Sequence, residues 1–366
     1  MNNYIDRYAQ LLVEYCLEIK AGQKLFIQST TLGIPLVKKV FQYAYKKGAL
    51  IEYQLDFQEK DQIIRDHSSR VQLQYIPELI KKAFTSFDAY LHIRAPFDLK
   101  TAVDLTPEKN KIRYAAMEPY WDEYFQRTGN GKMKRTLCQF PTLTAAEMAE
   151  MTLSEYEDFI HEACLLHHQN PIEAWQKLGQ KQQRIVDYLN TKNKFRYINE
   201  HTDLSFTTNG RTWINSDGKA NMPSGEVFTA PEEDSVQGNI YFDYPLLYKG
   251  EEIQGIHLEV ENGWILKWKA QKGQHTLDKI MEIDGARRFG EAAIGTNYKI
   301  NRFTKNILFD EKIGGTIHLA IGQAYQQAGG KNKSPIHLDM IANMKNKGKI
   351  EANGELIYNN GTFLID

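Results

Sequence analysis

The sequence predicts two domains of different class, α/β and then α+β: an N-terminal α/β domain with a largely parallel sheet over residues 1–190, and a C-terminal β-rich domain over residues 191–366. Three observations carry this expectation. Strand and helix periodicities alternate through the first half, which is the pattern of parallel β-α-β units. The polar stretch Thr191-Lys192-Asn193-Lys194 interrupts that pattern. Beyond it, Asn209-Gly210, Asp217-Gly218, Asn262-Gly263, Asn353-Gly354 and Asn360-Gly361 punctuate short apolar segments, and such dipeptides supply the left-handed residues of tight turns.

Taken in order, the first helix is expected over about 4–19, with Ile5, Tyr8, Leu12, Tyr15, Cys16 and Ile19 on one stripe and Ala21-Gly22 as its stop. A strand at 24–28 follows, then a helix opened by Pro35 that carries Leu36, Val37, Val40, Phe41 and Ala44. Gly48 ends it, and 50–55 reads as the next strand. A helix at 77–84 and a strand at 89–93 extend the alternation. Ser154 and Glu157 have the spacing of a capping box before Tyr156, Phe159, Ile160, Ala163 and Cys164, and Asn170-Pro171-Ile172-Glu173 opens a helix running to about 189. In the second half, 255–260 and 264–268 read as strands.

Composition narrows the function. The chain has 366 residues, 42% hydrophobic and 25% charged, which is the balance of a soluble globular protein with room for two cores. Its net charge is −1, with no long run of one sign, so neither nucleic acid nor a membrane is expected as partner, and a small one is. No apolar run approaches the ~18 residues of a membrane span, and MNNYIDRYAQ starts a helix instead of a secretory signal. Cys16, Cys138 and Cys164 are odd in number and far apart, which argues against a disulfide framework or a thiolate zinc site. A reducing cytoplasm is the expected location.

Several motifs that suggest chemistry fall short of it. Gly129-Asn130-Gly131 has Lys134 where a dinucleotide loop needs its third glycine. Gly329-Gly330-Lys331 has Tyr325 at the first glycine position of a phosphate loop and Asn332 in place of the hydroxyl. His161-Glu162-Ala163-Cys164 opens like a zinc-protease helix, but Leu165 stands where the second histidine belongs, and with His167-His168 it reads as surface.

Two apolar runs are different. His318 sits within Ile317-His318-Leu319-Ala320-Ile321, and His337 and Asp339 sit within Ile336-His337-Leu338-Asp339-Met340. Period-two geometry sends His337 and Asp339 to one face, about 6–7 Å apart, a spacing that suits neighbouring ligands of a metal. Glu226 is bracketed by Pro223, Gly225 and Pro231, and Glu291 is flanked by small residues in Gly290-Glu291-Ala292-Ala293. Each alone has an ordinary reading, as a hydrogen-bonded core histidine or a solvated carboxylate. The argument lies in the set, which is confined to residues 226–339.

In that order, NMPSGE, GARRFGE, IHLAIGQAY and SPIHLD closely resemble the aminopeptidase T family of dinuclear-metal aminopeptidases, which includes aminopeptidase S and PepS. The opening YIDRYAQLLVEYCLEIKAGQKLFIQS resembles the family's first helix and strand, so the likeness covers essentially the whole chain. It implies a metalloaminopeptidase that acts as a homodimer on peptides with a free N-terminus. It further implies two divalent metal ions per chain, held by Glu226, Glu291, His318, His337 and Asp339, with Tyr325 beside them. Three carboxylates and two neutral imidazoles leave such a centre near +1, which suits activation of water. With no thiolate among the ligands, zinc or cobalt is expected, and magnesium or manganese is admitted. Glu291 is the expected bridging carboxylate and Tyr325 the expected donor to a developing oxyanion. The loop from Tyr325 to His337 reads as shorter than in several members, which bears on the rim of the substrate pocket. The rival readings are a dinuclear hydrolase of another class, a phosphoesterase or amidohydrolase, and a non-enzymatic metal-binding protein. Against the phosphoesterase, the ligand motifs offer no Arg or Lys among the ligands to neutralise phosphate.

Overall fold

In the computed structural model, which describes residues 2–97 and 105–365, the N-terminal stripe forms an α-helix only over Asn2–Gln10 and continues as a π-helix over Leu11–Cys16. The wider turn closes through Leu17 N–H donating to Leu12 O at 3.0 Å. It puts Leu11, Leu12, Val13, Tyr15 and Cys16 into the core together, more than one stripe of a regular helix could bury, and so ends the helix short of the expected Ile19.

The chain divides into two compact units, Met1–Ala174 with Gly218–Pro223, and Trp175–Asp217 with Ser224–Asp366. In the first, five parallel strands lie in the order Leu50–Asp56, Lys24–Thr30, Ala89–Arg94, Lys134–Gln139 and Asn221–Met222. Between them run the helices Ile34–Lys46, Glu78–Ser86 and Pro107–Gly129. Phe26, Leu91 and Ile93 are buried, as residues of a central parallel strand must be. The capping box before the helix Leu153–Ala163 is made by Thr152 and Glu155, not by Ser154 and Glu157. Thr152 holds the extended backbone an N-cap requires, whereas Ser154 already lies in the helix.

The second unit stacks two antiparallel sheets on one core. An eight-stranded sheet runs from Trp264–Lys269 through Ile256–Glu261, Gln237–Phe242, Thr202–Thr207, Lys194–Asn199, Lys349–Ala352 and Glu355–Asn359 to Thr362–Phe363. Asn262-Gly263, Asn353-Gly354 and Asn360-Gly361 join its hairpins with both residues at positive φ. The other two dipeptides lie in longer connections. Phe195, Leu204, Phe206, Ile240 and Leu258 of this sheet share one cluster with Val227, Ile294, Ile317, Leu319, Ile321 and Met340 of a five-stranded sheet. Ile185, Val186 and Leu189 join the same cluster, so the helix Pro171–Leu189 packs mainly with the second unit. The division between the units falls within the first turn of this helix, after Ala174.

Candidate metal centre

The five-stranded sheet runs His337–Asn343, Thr316–Gly322, Phe289–Gly295, Glu226–Thr229, Ile214–Ser216, every neighbour antiparallel. Its register decides the site, because directly opposed residues share a face. Gly295 lies opposite Glu226, and Ala293 opposite both Phe228 and His318. Ala320 lies opposite both Glu291 and Asp339, and Gly322 opposite His337. All five candidate residues thus stand on one face of four adjacent strands. Between them the positions are filled by Ala293, Gly295, Ala320 and Gly322, which leaves room above the backbone. The alternate residues, Val227, Ala292, Ile294, Ile317, Leu319, Ile321, Met340 and Ala342, form the core on the opposite face.

Local backbone devices fix this arrangement. Between Phe289 and Glu291 the register shifts by a bulge at Gly290. A Cβ on Gly290 would stand 2.6 Å from Gln323 O. Gly322 has φ +97 and would bring a Cβ to 2.2 Å from Ile336 O, so only glycine serves at the end of the His318 strand. Gln182 is fully buried and donates through Nε2 to Glu226 O at 2.9 Å, tying the Glu226 strand to the helix Pro171–Leu189.

The side chains converge. His318 Nε2 lies 3.5 Å from Glu226 Oε2 and 3.7 Å from Glu291 Oε1. His337 Nε2 lies 3.0 Å from Glu291 Oε2 and 3.4 Å from Asp339 Oδ1. Glu291 thus holds one oxygen toward each histidine. One ligand atom from each of Glu291, His337 and Asp339 falls within a 4.8 Å set that could hold a metal ion. Glu226, Glu291 and His318 are buried. Glu226 Oε2, His337 Nε2 and Asp339 Oδ1 are shielded from solvent without a properly directed hydrogen bond among the described residues. Buried charge left this way is costly, and a cation between the groups removes the cost. His337 Nδ1 lies 2.7 Å from Gln323 O, to which it donates; in the neutral ring this leaves the Nε2 lone pair facing the carboxylates.

Electrostatics without a metal reinforce this reading. Burial disfavours the His337 imidazolium, but Asp339 and Glu291 outweigh it and raise the pKa to about 11. His318, against the same penalty of burial, is raised by Glu291, Glu226 and Asp339. Burial would lift Asp339, yet His337 holds its carboxyl below the ordinary range. A raised histidine stabilises the metal-free fold fully below the ordinary value of 6.5, and for His337 this contribution disappears as pH climbs through about 11. Metal must displace these protons. Divalent-ion affinity is therefore expected to rise with pH through the neutral range, with one to two protons released per chain on loading, measured by calorimetry in buffers of different ionisation enthalpy. Proton release near zero contradicts the ligand assignment of the histidines.

Tyr325 stacks edge-on against His337, ring centroids 4.9 Å apart, and lies 5.3 Å from the Phe228 ring. It is 38% exposed, at the solvent side of the site. Its loop is pinned by Asn332 Nδ2 donating to Gly285 O at 2.8 Å and Gly322 O at 2.6 Å, and by Lys331 N–H donating to Glu233 Oε1 at 2.7 Å. Gly329-Gly330 lies within this loop, as expected, whereas Gly129 is the last residue of the helix Pro107–Gly129 and only Asn130-Gly131 form a turn. His161 belongs to the first unit and stacks on Tyr4 at 4.1 Å.

One residue at the site was missed. Lys312 is completely buried, with Nζ 3.7 Å from Glu226 Oε1, and it also pairs with Glu311. The absence of Arg and Lys was expected of the ligands themselves, and Lys312 stands beside them and not among them. The available signal was slight: Lys312 follows Asp310-Glu311 and reads as solvated, although Ile313-Gly314-Gly315 leads straight into the His318 strand. Its two carboxylate partners already engage the ammonium, so it does not revive a phosphate-binding role.

The sequence matches the family described as thermophilic metalloprotease (M29) over residues 1–363. The chain belongs to that family. Aminopeptidase 2 of Geobacillus stearothermophilus is a relative 30% identical over 356 residues, covering 88% of this chain and 84% of that protein. Aminopeptidase AmpS of Bacillus subtilis is 28% identical, with 98% of each chain covered. Among solved structures, wild-type AmpT from Thermus thermophilus superposes with a TM-score of 0.85 at 24% identity, covering 100% of both chains, so the M29 member described here has the AmpT fold. The fold alone does not decide the chemistry: a 2,5-dihydroxypyridine dioxygenase from Pseudomonas putida shares it at a TM-score of 0.57 and 12% identity, over 99% of this chain and 96% of that one.

Proposed function

We propose that this M29 protein is an aminopeptidase that hydrolyses the N-terminal peptide bond of peptides with two divalent metal ions, held by Glu226, Glu291, His318, His337 and Asp339. The observation that carries the proposal is the convergence of these five side chains on one sheet face, with Glu226 Oε2, His337 Nε2 and Asp339 Oδ1 shielded and lacking directed hydrogen bonds. Bound divalent ions supply Lewis acidity toward the scissile carbonyl, lower the pKa of an attacking water and take the free α-amine of the substrate. Glu291, between the two histidines, suits a ligand shared by both ions. His337 is oriented for its role by Gln323 O. Tyr325 stands against His337 at the solvent side, where its hydroxyl donates to the oxyanion as the carbonyl becomes tetrahedral. Zinc or cobalt suits the nitrogen and oxygen donors, with magnesium or manganese as substitutes. A homodimer in the reducing cytoplasm completes the proposal; Cys16, Cys138 and Cys164 are all buried free thiols.

The decisive test is elemental analysis of protein purified without chelator, together with turnover of an aminoacyl chromogen before and after exhaustive chelation. Metal content approaching two ions per chain and activity lost on chelation are expected. Absence of metal, or activity untouched by chelation, removes the proposal. Within it, Tyr325→Phe is expected to keep its metal while kcat falls by about 10²–10³, the scale of losing one oxyanion donor. Unchanged kcat in that variant leaves Tyr325 as a wall of the pocket.

A further inference from the structure

From the position of Lys312 we infer that the two metal ions are held unequally, tightly by the Glu291, His337 and Asp339 group and weakly by the Glu226 and His318 group, and that the pair of Glu311 with the buried Lys312 sets the difference. This rests on the two-metal reading above. Three observations lead to it. First, only Glu291, His337 and Asp339 form a compact set of ligand atoms in the described residues, all within 4.8 Å, and Glu226 and His318 stand outside it. Second, Glu226 is a shared ligand. Its Oε1 faces Lys312 Nζ at 3.7 Å and its Oε2 faces His318 Nε2 at 3.5 Å, so a cation at the second position competes with a fixed ammonium for one carboxylate. Third, the ammonium cannot withdraw into water. Lys312 has no exposed side-chain surface, and the carboxylates of Glu311 and Glu226 lie within 4 Å of its ammonium.

The physical consequence is asymmetric repulsion. In a site screened from solvent, a positive charge beside a ligand opposes entry of a divalent ion, and Glu311 compensates that charge only in part because it also reaches solvent. The Glu291, His337 and Asp339 group has no lysine or arginine ion-paired to it among the described residues, and Lys312 acts on it from beyond ion-pair distance, as a smaller influence on Asp339 than His337. Lys312 is therefore a positioning residue: it holds Glu226 by one oxygen, leaves the other for metal, and lowers the affinity of that position.

The test is a stepwise titration of metal-free protein with cobalt(II), followed by its visible absorption, which reports occupancy without substrate. The wild type is expected to take one ion tightly and a second at least about 30-fold more weakly. The double variant Lys312→Met, Glu311→Gln, which removes both charges together, is expected to tighten the second ion at least about 10-fold and to move the first less than about twofold. Glu311→Gln alone, which leaves the ammonium uncompensated, is expected to weaken the second ion further. Two equal affinities in the wild type overturn the inference, and so does a double variant that shifts both ions alike or neither. Should the double variant fail to fold, the wild-type steps and Glu311→Gln decide. Failure to bind cobalt at all overturns the two-metal reading itself, whereas two equally tight ions overturn only the inequality.

Discussion

Alanine in place of Glu291, His337 or Asp339 is expected to lower kcat/KM by at least about 10⁴-fold, the scale of removing a member of a unit that works as a whole. Each change takes away a proposed ligand from the most compact part of the site and leaves its former neighbours facing one another. Loss of Glu291 is expected to be the most severe, because its two oxygens face both histidines. Alanine at Glu226 or His318 is expected to abolish turnover as well. The control is His161→Ala, in the first unit, where the ring stacks on Tyr4 and touches no candidate ligand. Steady-state kinetics with metal content measured on the same preparations check the series. An active His318→Ala enzyme beside a dead His161→Ala enzyme would show that the wrong histidines had been chosen.

The second large effect lies in the substrate. Acetylating the α-amine of a good peptide substrate is expected to lower kcat/KM by at least ~10³, because it removes the proposed amine–metal contact together with the orientation that contact would confer. Three carboxylates and two imidazoles recruit cations, and the one lysine found among them is already engaged by Glu311 and Glu226. A substrate carboxylate thus finds no open protein cation at the site, while a neutral amine finds a Lewis acid. Equal cleavage of acetylated and free peptides, or first cleavage at internal bonds of a long peptide, sinks the exopeptidase reading even with the metal centre intact.

What the sequence made legible was local. Period-two alternation placed His337 and Asp339 on one face because both lie in a single strand, and alternation needs no partner to be read. The parallel sheet of the first unit and the antiparallel character of the second were likewise legible, since helix periods and turn dipeptides are short-range signals. The assembly of Glu226, Glu291 and His318 onto the same face was not, because it depends on the register of three strand pairs far apart in sequence. The motif likeness gathered these residues before any geometry did. Lys312 escaped for a related reason: its burial is imposed by the turn that leads into the His318 strand, and nothing within Asp310-Glu311-Lys312 marks it as interior. The capping box before Leu153–Ala163 failed at finer grain, as Thr152/Glu155 and Ser154/Glu157 have the same spacing and only the backbone distinguishes them.

The bulge at Gly290 has a consequence that is one of parity. Phe289 faces Ile321 in the hydrophobic core, and in an unbroken ladder Glu291 would next face Leu319, on that same side. The single extra residue changes an even offset into an odd one and delivers the carboxylate to Ala320 instead. Chemistry at this centre therefore depends on a count of residues as much as on their identity. Straightening the bulge with residue 290 still in the strand leaves every ligand in the sequence and yet turns the central carboxylate into an unpaired charge inside a sandwich of aliphatic side chains. A lineage can lose this centre by a change at Gly290 that pairs this residue into the ladder, which no inventory of ligand residues would register.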